Sequence, residues 1–323
     1  MPHTILITGA AGFAGRHLID LLTSDGAEIV AWHRPGGRPP CEAPRTLWQA
    51  VDVLDRHAVS HAIDRVRPTA VYHCAGAAHV GRSWDATEST FAINVRGTHH
   101  LLEALRHAAV STRVIIPSSA MIYRPASEPL SEDHPLVPAN PYGLSKLAQE
   151  LLAEHAATDR LRIMIARAFN HIGPQQDPSF AASGFAKQIA EIEAGLREPE
   201  VIVGNLEARR DALDVRDTVR AYRMILERGR PGRPYNVSSG HAIAIGELLE
   251  MLKIRARVPI RVSVDPNRFR PHDFPLLIGN SDRLRRELGW MPTIPLSQTL
   301  DDLLTYWRAK VRELKTKTST KPQ

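Results

Sequence analysis

Tyr142-Gly143-Leu144-Ser145-Lys146 sets a phenol and an amine four residues apart, which is one face of a helix. A tyrosine with a reference pKa near 10 is a poor acid–base group at neutral pH, and a nearby ammonium favours its phenolate. Ser118-Ser119 follows the apolar run Val114-Ile115-Ile116. Its hydroxyls therefore fall at the carboxyl end of a strand, the edge at which open α/β sheets bind ligands. A serine there can hold a substrate oxygen beside the tyrosine. Ser119, Tyr142 and Lys146 together could move a proton at a carbonyl or hydroxyl oxygen.

A second constellation lies at the other end of the domain. Thr8-Gly9-Ala10-Ala11-Gly12-Phe13-Ala14-Gly15 follows the apolar run Ile5-Leu6-Ile7 and precedes an amphipathic stretch from Arg16 to Leu22. A glycine-rich turn between strand and helix lets backbone N–H groups approach a phosphate, and the helix N-terminus adds partial positive charge. Gly9, Ala11, Gly12, Phe13, Ala14 and Gly15 are thus expected to cradle a dinucleotide. The end of the second strand, Glu28 to Trp32, carries His33-Arg34 in place of the acid that bonds the ribose of NAD, with Arg38 close behind. A guanidinium pairs bidentately with a 2′-phosphate, which favours NADP(H) and leaves NAD as the other option. Asp52-Val53 lies in the next loop, where Asp52 either accepts from the adenine amino group or caps a helix; Asp55 suits the cap better. Ala75-Gly76-Ala77 closes a further strand with small residues that leave room for ribose and pyrophosphate. A bound nicotinamide cation, a lysine and a hydroxyl could together supply the roughly 4 kcal/mol that lowering a phenol by three pKa units requires.

The elements that must carry these residues alternate. Strand-like runs at Ile5–Ile7, Glu28–Trp32, Ala70–Cys74, Arg113–Pro117 and Arg162–Arg167 are separated by helical patterns, including Thr90–Ala108 and Tyr142–Ala157. This order predicts an α/β fold, a Rossmann-type doubly wound parallel sheet. Residues 1–167 read as the dinucleotide-binding domain, with a return strand near 233–240. Residues 168–310, broken by many prolines, read as an interleaved substrate-binding lobe. The lysine- and threonine-rich end, 311–323, reads as a disordered basic tail.

The 323 residues are 43% hydrophobic, enough for a sizeable core, and the formal net charge is +6. No apolar run approaches the roughly 18 residues that span a bilayer, and no aromatic-plus-basic motif points to nucleic acid. Two cysteines build no disulfide framework, so a reduced, cytoplasmic protein is expected. His57 and His61 stand at metal-compatible spacing without a third ligand, and Cys74 reads as a core residue.

With these residues the chain resembles the extended short-chain dehydrogenase/reductase family, the nucleotide-sugar epimerase/dehydratase group. Thr8–Gly15 matches its glycine turn and Asn94-Val95-Arg96-Gly97-Thr98 its helix motif. Ser119, Tyr142 and Lys146 match its catalytic triad, and Leu288-Gly289-Trp290-Met291-Pro292 its C-terminal signature. Arg167-Ala168-Phe169-Asn170 through Gly173-Pro174 matches the start of its substrate lobe, and Arg210-Asp211 and Arg270-Pro271-His272-Asp273 match its diphosphate-binding segments. The resemblance implies cofactor contacts at Asn94, Tyr142 and Lys146, and a diphosphate held by Arg210 and Arg270 with Asn170 and Lys187. It implies a homodimer paired through the helices after Thr90 and Tyr142, whose Leu101, Leu105, Leu147 and Leu151 either face outward or pack on the sheet.

Dehydratases of this group carry an acidic pair or a glutamate after the catalytic hydroxyl, because eliminating water needs a base and an acid. Here Ala120-Met121 occupies that place, so dehydration is not expected. Reductase and NAD-dependent 4-epimerase remain, since both use the same three side chains. His79-Val80-Gly81-Arg82-Ser83-Trp84, Ala168–Pro174, Ser183–Gln188 and Gly204–Asp211 resemble GDP-4-dehydro-6-deoxy-D-mannose reductases. That likeness implies a GDP-linked sugar touching Ser83, Ser119 and Met121, and GDP-D-rhamnose as product. Gln175 departs from it, standing where those enzymes usually have glycine.

Overall fold

The computed structural model describes residues 4–37, 39, 43–269 and 274–319. In chain order the elements are β1 (Thr4–Thr8), α1 (Phe13–Ser24), β2 (Glu28–His33), β3 (Thr46–Ala50), α2 (Arg56–Val66), β4 (Ala70–His73), α3 (Thr87–Phe91), α4 (Gly97–His107), β5 (Thr112–Ser119), α5 (Pro141–Ala156) and β6 (Leu161–Ala168). They continue as β7 (His171–Ile172), α6 (Ala181–Glu193), β8 (Glu200–Val203), β9 (Arg209–Asp211), β10 (Leu213–Asp214), α7 (Val215–Arg228), β11 (Pro234–Val237), β12 (Ala242–Ala244), α8 (Ile245–Ile254), β13 (Arg261–Val264), β14 (Leu276–Leu277), α9 (Asp282–Leu288) and α10 (Leu296–Ser319).

Seven strands form one parallel sheet in the order β11-β6-β5-β4-β1-β2-β3. This is the doubly wound sheet that the alternating pattern predicts. Its central strands read as unbroken apolar runs because helices cover both faces. Leu18, Ile19 and Leu22 of α1, Val219, Tyr222 and Ile225 of α7, and Leu284 of α9 pack one face. Val59 and Ile63 of α2, Leu101 and Leu105 of α4, and Ala153 of α5 pack the other. Leu101 and Leu105 are therefore sheet-packing residues and not an outward face. β3 escaped the sequence reading because Thr-Leu-Trp-Gln-Ala at a sheet edge carries little periodic signal.

Beyond β6 the chain builds a second core, in which Phe185 and Ile189 of α6, Leu248 and Leu252 of α8, and Leu300, Leu304 and Trp307 of α10 meet. The chain then returns to the first sheet twice, as α7 against α1 and as β11 beside β6. The basic end is not the disordered tail expected: α10 runs on to Ser319, and residues 320–323 lie outside the described residues. The apolar spacing of Leu300, Leu304, Trp307 and Val311 continues into that segment, Val311 is buried, and Lys315 Nζ donates to Ala194 O at 2.9 Å. Among the described residues, no helix is long and apolar enough to cross a membrane.

Candidate active site

All strands of the main sheet being parallel, the carboxyl ends of β1, β2, β4 and β5 share one edge, and the glycine turn, Ala75–Ala77 and Ser119 lie along it with Tyr142 and Lys146 of α5 beside them. Gly9 turns the chain out of β1 with φ 62, and a Cβ there would sit 2.6 Å from the backbone of Cys74 and Ala75. A Cβ on Gly15 would meet Gly9 O at 2.5 Å, so α1 can lie this close to the turn only with glycine. Gly12 caps α1 in extended conformation with no capping side chain, and the first turn carries no acid. Its N-terminal donors thus lack a side-chain acceptor and suit a pyrophosphate. Ala11 O accepts from Arg16 Nε at 2.9 Å, and the Phe13 ring stacks on His171 with centroids 5.6 Å apart. Phe13 and Ala14 line the cleft beside Gly12. These features fit the dinucleotide read from the sequence.

Arg34 follows β2 and is exposed, with no acid at that strand end; Arg38 lies outside the described residues. Asp55 takes the cap of α2, accepting from His57 N and Ala58 N, whereas Asp52 Oδ1 accepts from Leu54 N at 2.9 Å and shapes the preceding turn. Val53 O accepts from His100 Nδ1. Ala75 N donates to Thr8 Oγ1, and Ala77 N donates to Asn94 Oδ1 at 2.8 Å. Asn94 Nδ2 returns a bond to Ala77 O and another to Ser145 Oγ at 2.9 Å. Asn94 is fully buried in a π-helical turn, Ala92–Arg96, that interrupts the helix expected from Thr90 to Ala108. Asn94 thus holds the Ala77 backbone in place at the edge of the cofactor cleft.

α5 starts where it does because Asn140 Oδ1 accepts from Gly143 N at 2.8 Å and Pro141 occupies the first helical position. A Cβ on Gly143 would lie 2.2 Å from Met121 O, so this glycine sets how closely α5 approaches the turn after Ser119. Ser83 is not a substrate contact: wholly buried, it donates to Val80 O at 2.7 Å and accepts from Tyr142 N at 3.2 Å, steadying the start of α5. Lys146 Nζ donates to Pro117 O at 2.6 Å and to Gln149 Oε1 at 2.7 Å. Gln149 Nε2 in turn donates to Thr98 Oγ1 at 2.6 Å, and Thr98 donates to Asn94 O. His73 sits between Thr8 Oγ1 at 2.8 Å and Thr98 Oγ1 at 2.9 Å. One neutral tautomer, protonated on Nε2 and accepting from Thr8 at Nδ1, satisfies this chain, and burial with the charge of Lys146 pushes His73 down to about 3.

Burial pushes the Tyr142 phenol up, opposed by the hydrogen-bonding Ser119 side chain. The expectation that Lys146 lowers it is therefore not met by the protein's own groups: the ammonium is aimed at Pro117 and Gln149. Lys146 itself falls to about 8 through burial. Cys74 rises to about 12 for the same reason, as suits a core thiol.

Two adjoining cavities open here. One of about 580 Å³ is walled by Gly12–Ala14, Ala75–Ala77, Ser119, Met121, Tyr142 and Lys146. The other, about 400 Å³, lies against α6 and includes Lys187, which is ion-paired with Glu191. Asn170, His171, Gln176, Phe180 and Arg210 line both, so they form one cleft between the sheet edge and the second lobe. Arg210 is 7% exposed and held by Nη1 donation to Arg209 O and Phe274 O. Arg270 lies outside the described residues. Ser118 Oγ, in the wall of the first cavity, is buried without a partner among the described residues, a polar atom left for a ligand. Gln149 and Gln176 escaped the sequence reading. Gln149 is detectable, one helical turn after Lys146, but no local signal marks Gln176. Among the described residues no cluster of three or more potential ligands could hold a metal.

The pattern that defines the GDP-mannose 4,6 dehydratase family matches residues 6–303. The chain belongs to this family. GDP-6-deoxy-D-mannose reductase of Pseudomonas aeruginosa is 35% identical over 317 residues, spanning 97% of this chain and 100% of that protein. The structure of RMD from Pseudomonas aeruginosa complexed with NADPH superposes with a TM-score of 0.82 at 32% identity, covering 95% of this chain and 99% of that one. The UDP-glucose 4-epimerase of Thermotoga maritima with UDP-glucose gives a TM-score of 0.85 at 25% identity, covering 95% and 99%. The protein is an NAD(P)-dependent extended short-chain dehydrogenase/reductase that acts on nucleotide sugars.

Proposed function

We propose that the protein reduces the 4-keto group of a nucleotide-diphosphate 4-keto-6-deoxy sugar, converting GDP-4-dehydro-6-deoxy-D-mannose to GDP-D-rhamnose with NADPH. One observation removes dehydration from the choice within the family. The catalytic cavity presents Ser119 and Tyr142 beside Ala120 and Met121, and its one carboxylate among the described residues, Asp177, is occupied by Ser179. A wall that can protonate an oxygen but has no acid–base pair for elimination leaves reduction and 4-epimerisation, and of these we favour reduction. The Pseudomonas reductase, matched end to end, supports the same reading.

The Gly9–Gly15 turn would hold NADPH, which would supply the hydride. Tyr142 donates the proton to the oxygen at carbon 4, completing a hydroxyl. Ser119 positions that oxygen, and Lys146 would hold the cofactor's nicotinamide ribose. Arg210 and Arg270 clamp the diphosphate, with Asn170 and Lys187 assisting, and Met121 packs against the sugar. The test is to add purified protein and NADPH to freshly made GDP-4-dehydro-6-deoxy-D-mannose. Stoichiometric NADPH oxidation with formation of GDP-D-rhamnose is expected. Interconversion of 4-epimers without net cofactor consumption would overturn reduction in favour of the epimerase.

Arg34 pairs with the 2′-phosphate in this reading. Arg34→Glu is expected to raise the KM for NADPH about 10- to 100-fold, the worth of one charge-assisted bond, and to leave the KM for NADH within about threefold. Equal changes for both cofactors would remove Arg34 from that role. We also infer a cytoplasmic homodimer paired through α4 and α5. Leu144 and Leu151, seven residues apart and half exposed on α5, support the pairing, and light scattering reads it.

A further inference from the structure

One acceptor in the cleft lacks a donor from the fold. Gln176 is 6% exposed, in the loop after β7. Its Nε2 donates to His171 O at 2.8 Å. A carbonyl only accepts, so this bond settles which end of the amide is which, and Oε1 is left as the unpaired end. Among the described residues Oε1 has no hydrogen-bond partner. The backbone around it is held firmly: Ser183 Oγ donates to Gln176 O at 2.7 Å, and Trp307 Nε1 donates to that same Oγ at 2.9 Å. The preceding Gln175 takes φ 72, the left-handed region that favours glycine, and its Oε1 accepts from Arg16 Nη1 at 3.1 Å. A loop so tied to α1 and α10 carries Gln176 to the place where the two cavities join.

A buried carbonyl oxygen without a donor is destabilising, and it persists in a native fold where a ligand completes it. Of the groups a nucleotide sugar brings, the diphosphate has only acceptors, whereas the sugar offers hydroxyl donors. We propose that Gln176 Oε1, a buried unpaired acceptor on a residue lining both cavities, accepts a hydrogen bond from a sugar hydroxyl, making Gln176 a specificity-determining residue of the cleft. This rests on the reading that the cleft takes a nucleotide sugar.

The test is calorimetric titration of the full chain with GDP-mannose, GDP and NADPH. Gln176→Met keeps side-chain length and removes both the acceptor and the bond to His171 O; Gln176→Glu lacks that bond too but returns an acceptor oxygen, so the difference between the two variants reads the acceptor. Gln176→Met is expected to weaken GDP-mannose binding about tenfold, with GDP and NADPH affinities within about twofold, and Gln176→Glu to recover part of the loss. Unchanged GDP-mannose affinity, an equal loss for GDP, or a loss of NADPH binding would each overturn the proposal. The first would mean that no donor reaches Oε1, the second that the nucleotide is read, and the third that the cofactor is. Retained GDP binding shows that a variant is folded. Where Gln176→Met does not fold, Gln176→Glu decides, since full loss of GDP-mannose binding with GDP binding kept contradicts an acceptor role. Failure of the unaltered protein to bind GDP-mannose or GDP would refute the nucleotide-sugar reading itself.

Discussion

Tyr142→Phe is expected to lower turnover by about a thousandfold and to leave NADPH affinity unchanged. Tyr142 is 9% exposed, and desolvation raises its phenol, so the hydroxyl holds its proton at neutral pH. A protonated phenol beside the Ser119 hydroxyl is a donor waiting for an oxygen that gains negative charge, which is what reduction of a ketone provides. Phenylalanine keeps the ring, and the packing of α5 rests on Asn140, Ser83 and Gly143, none of which needs the hydroxyl. Turnover within about tenfold of the parent enzyme would remove Tyr142 from proton transfer. The same site sets an alkaline limb. Lys146 carries its charge below about 8, so kcat/KM is expected to fall as pH rises through that value, because the ammonium that Pro117 O and Gln149 hold becomes neutral.

Glu150→Ala is expected to cost about 3–5 kcal/mol of stability, measured by urea denaturation. Glu150 lies on α5, two turns beyond Tyr142, and Arg167 lies near the end of β6; their side chains are 4% and 6% exposed. Arg167 Nη2 donates to Glu150 Oε2 at 2.8 Å and Nε adds a second contact, while Nη1 donates to Tyr123 OH and Glu132 O. The guanidinium also lies 5.2 Å from the centre of the Tyr123 ring. Removing the carboxylate leaves a buried cation with neutral partners, and that uncompensated charge is the source of the cost. Replacing both partners, Glu150→Leu with Arg167→Met, is expected to restore most of the loss, since it removes the charge along with the bond. A single-variant loss below about 1 kcal/mol would show that water reaches Arg167. The pair also ties α5 to β6, so the helix that carries Tyr142 and Lys146 is anchored through it.

Much of the site was legible because its parts are local. The glycine turn, the serine at the end of β5 and the Tyr–Lys spacing each lie within one strand, turn or helix, and a parallel sheet brings all three to one edge. Arg34 was legible for the same reason, as the residue after a strand. What escaped were groups that act through partners far along the chain. Ser83 and Tyr142 are 59 residues apart, and only the packing of the loop after β4 on α5 makes the first a support for the second. Asn94 gave a motif but not its task, because its amide reaches Ala77 and Ser145 across 17 and 51 residues. The basic end was misread because charge and threonine content outweighed the apolar spacing that runs from Leu300 to Val311.

The alternation of most strands and helices, the glycine turn and the spacing of Ser119, Tyr142 and Lys146 are written into short stretches of the chain, since periodicity and turn chemistry act over a few residues. The sequence also determined that Gln175 stands in a glycine's place. Long-range packing set the rest: this residue takes the left-handed conformation, Lys146 is held by Gln149, Glu150 neutralises Arg167, and Gln176, lining the cleft, keeps an unpaired acceptor. Those outcomes depend on burial and on which polar atoms meet once helices from distant parts of the chain close over the sheet, and no short stretch of sequence encodes that meeting.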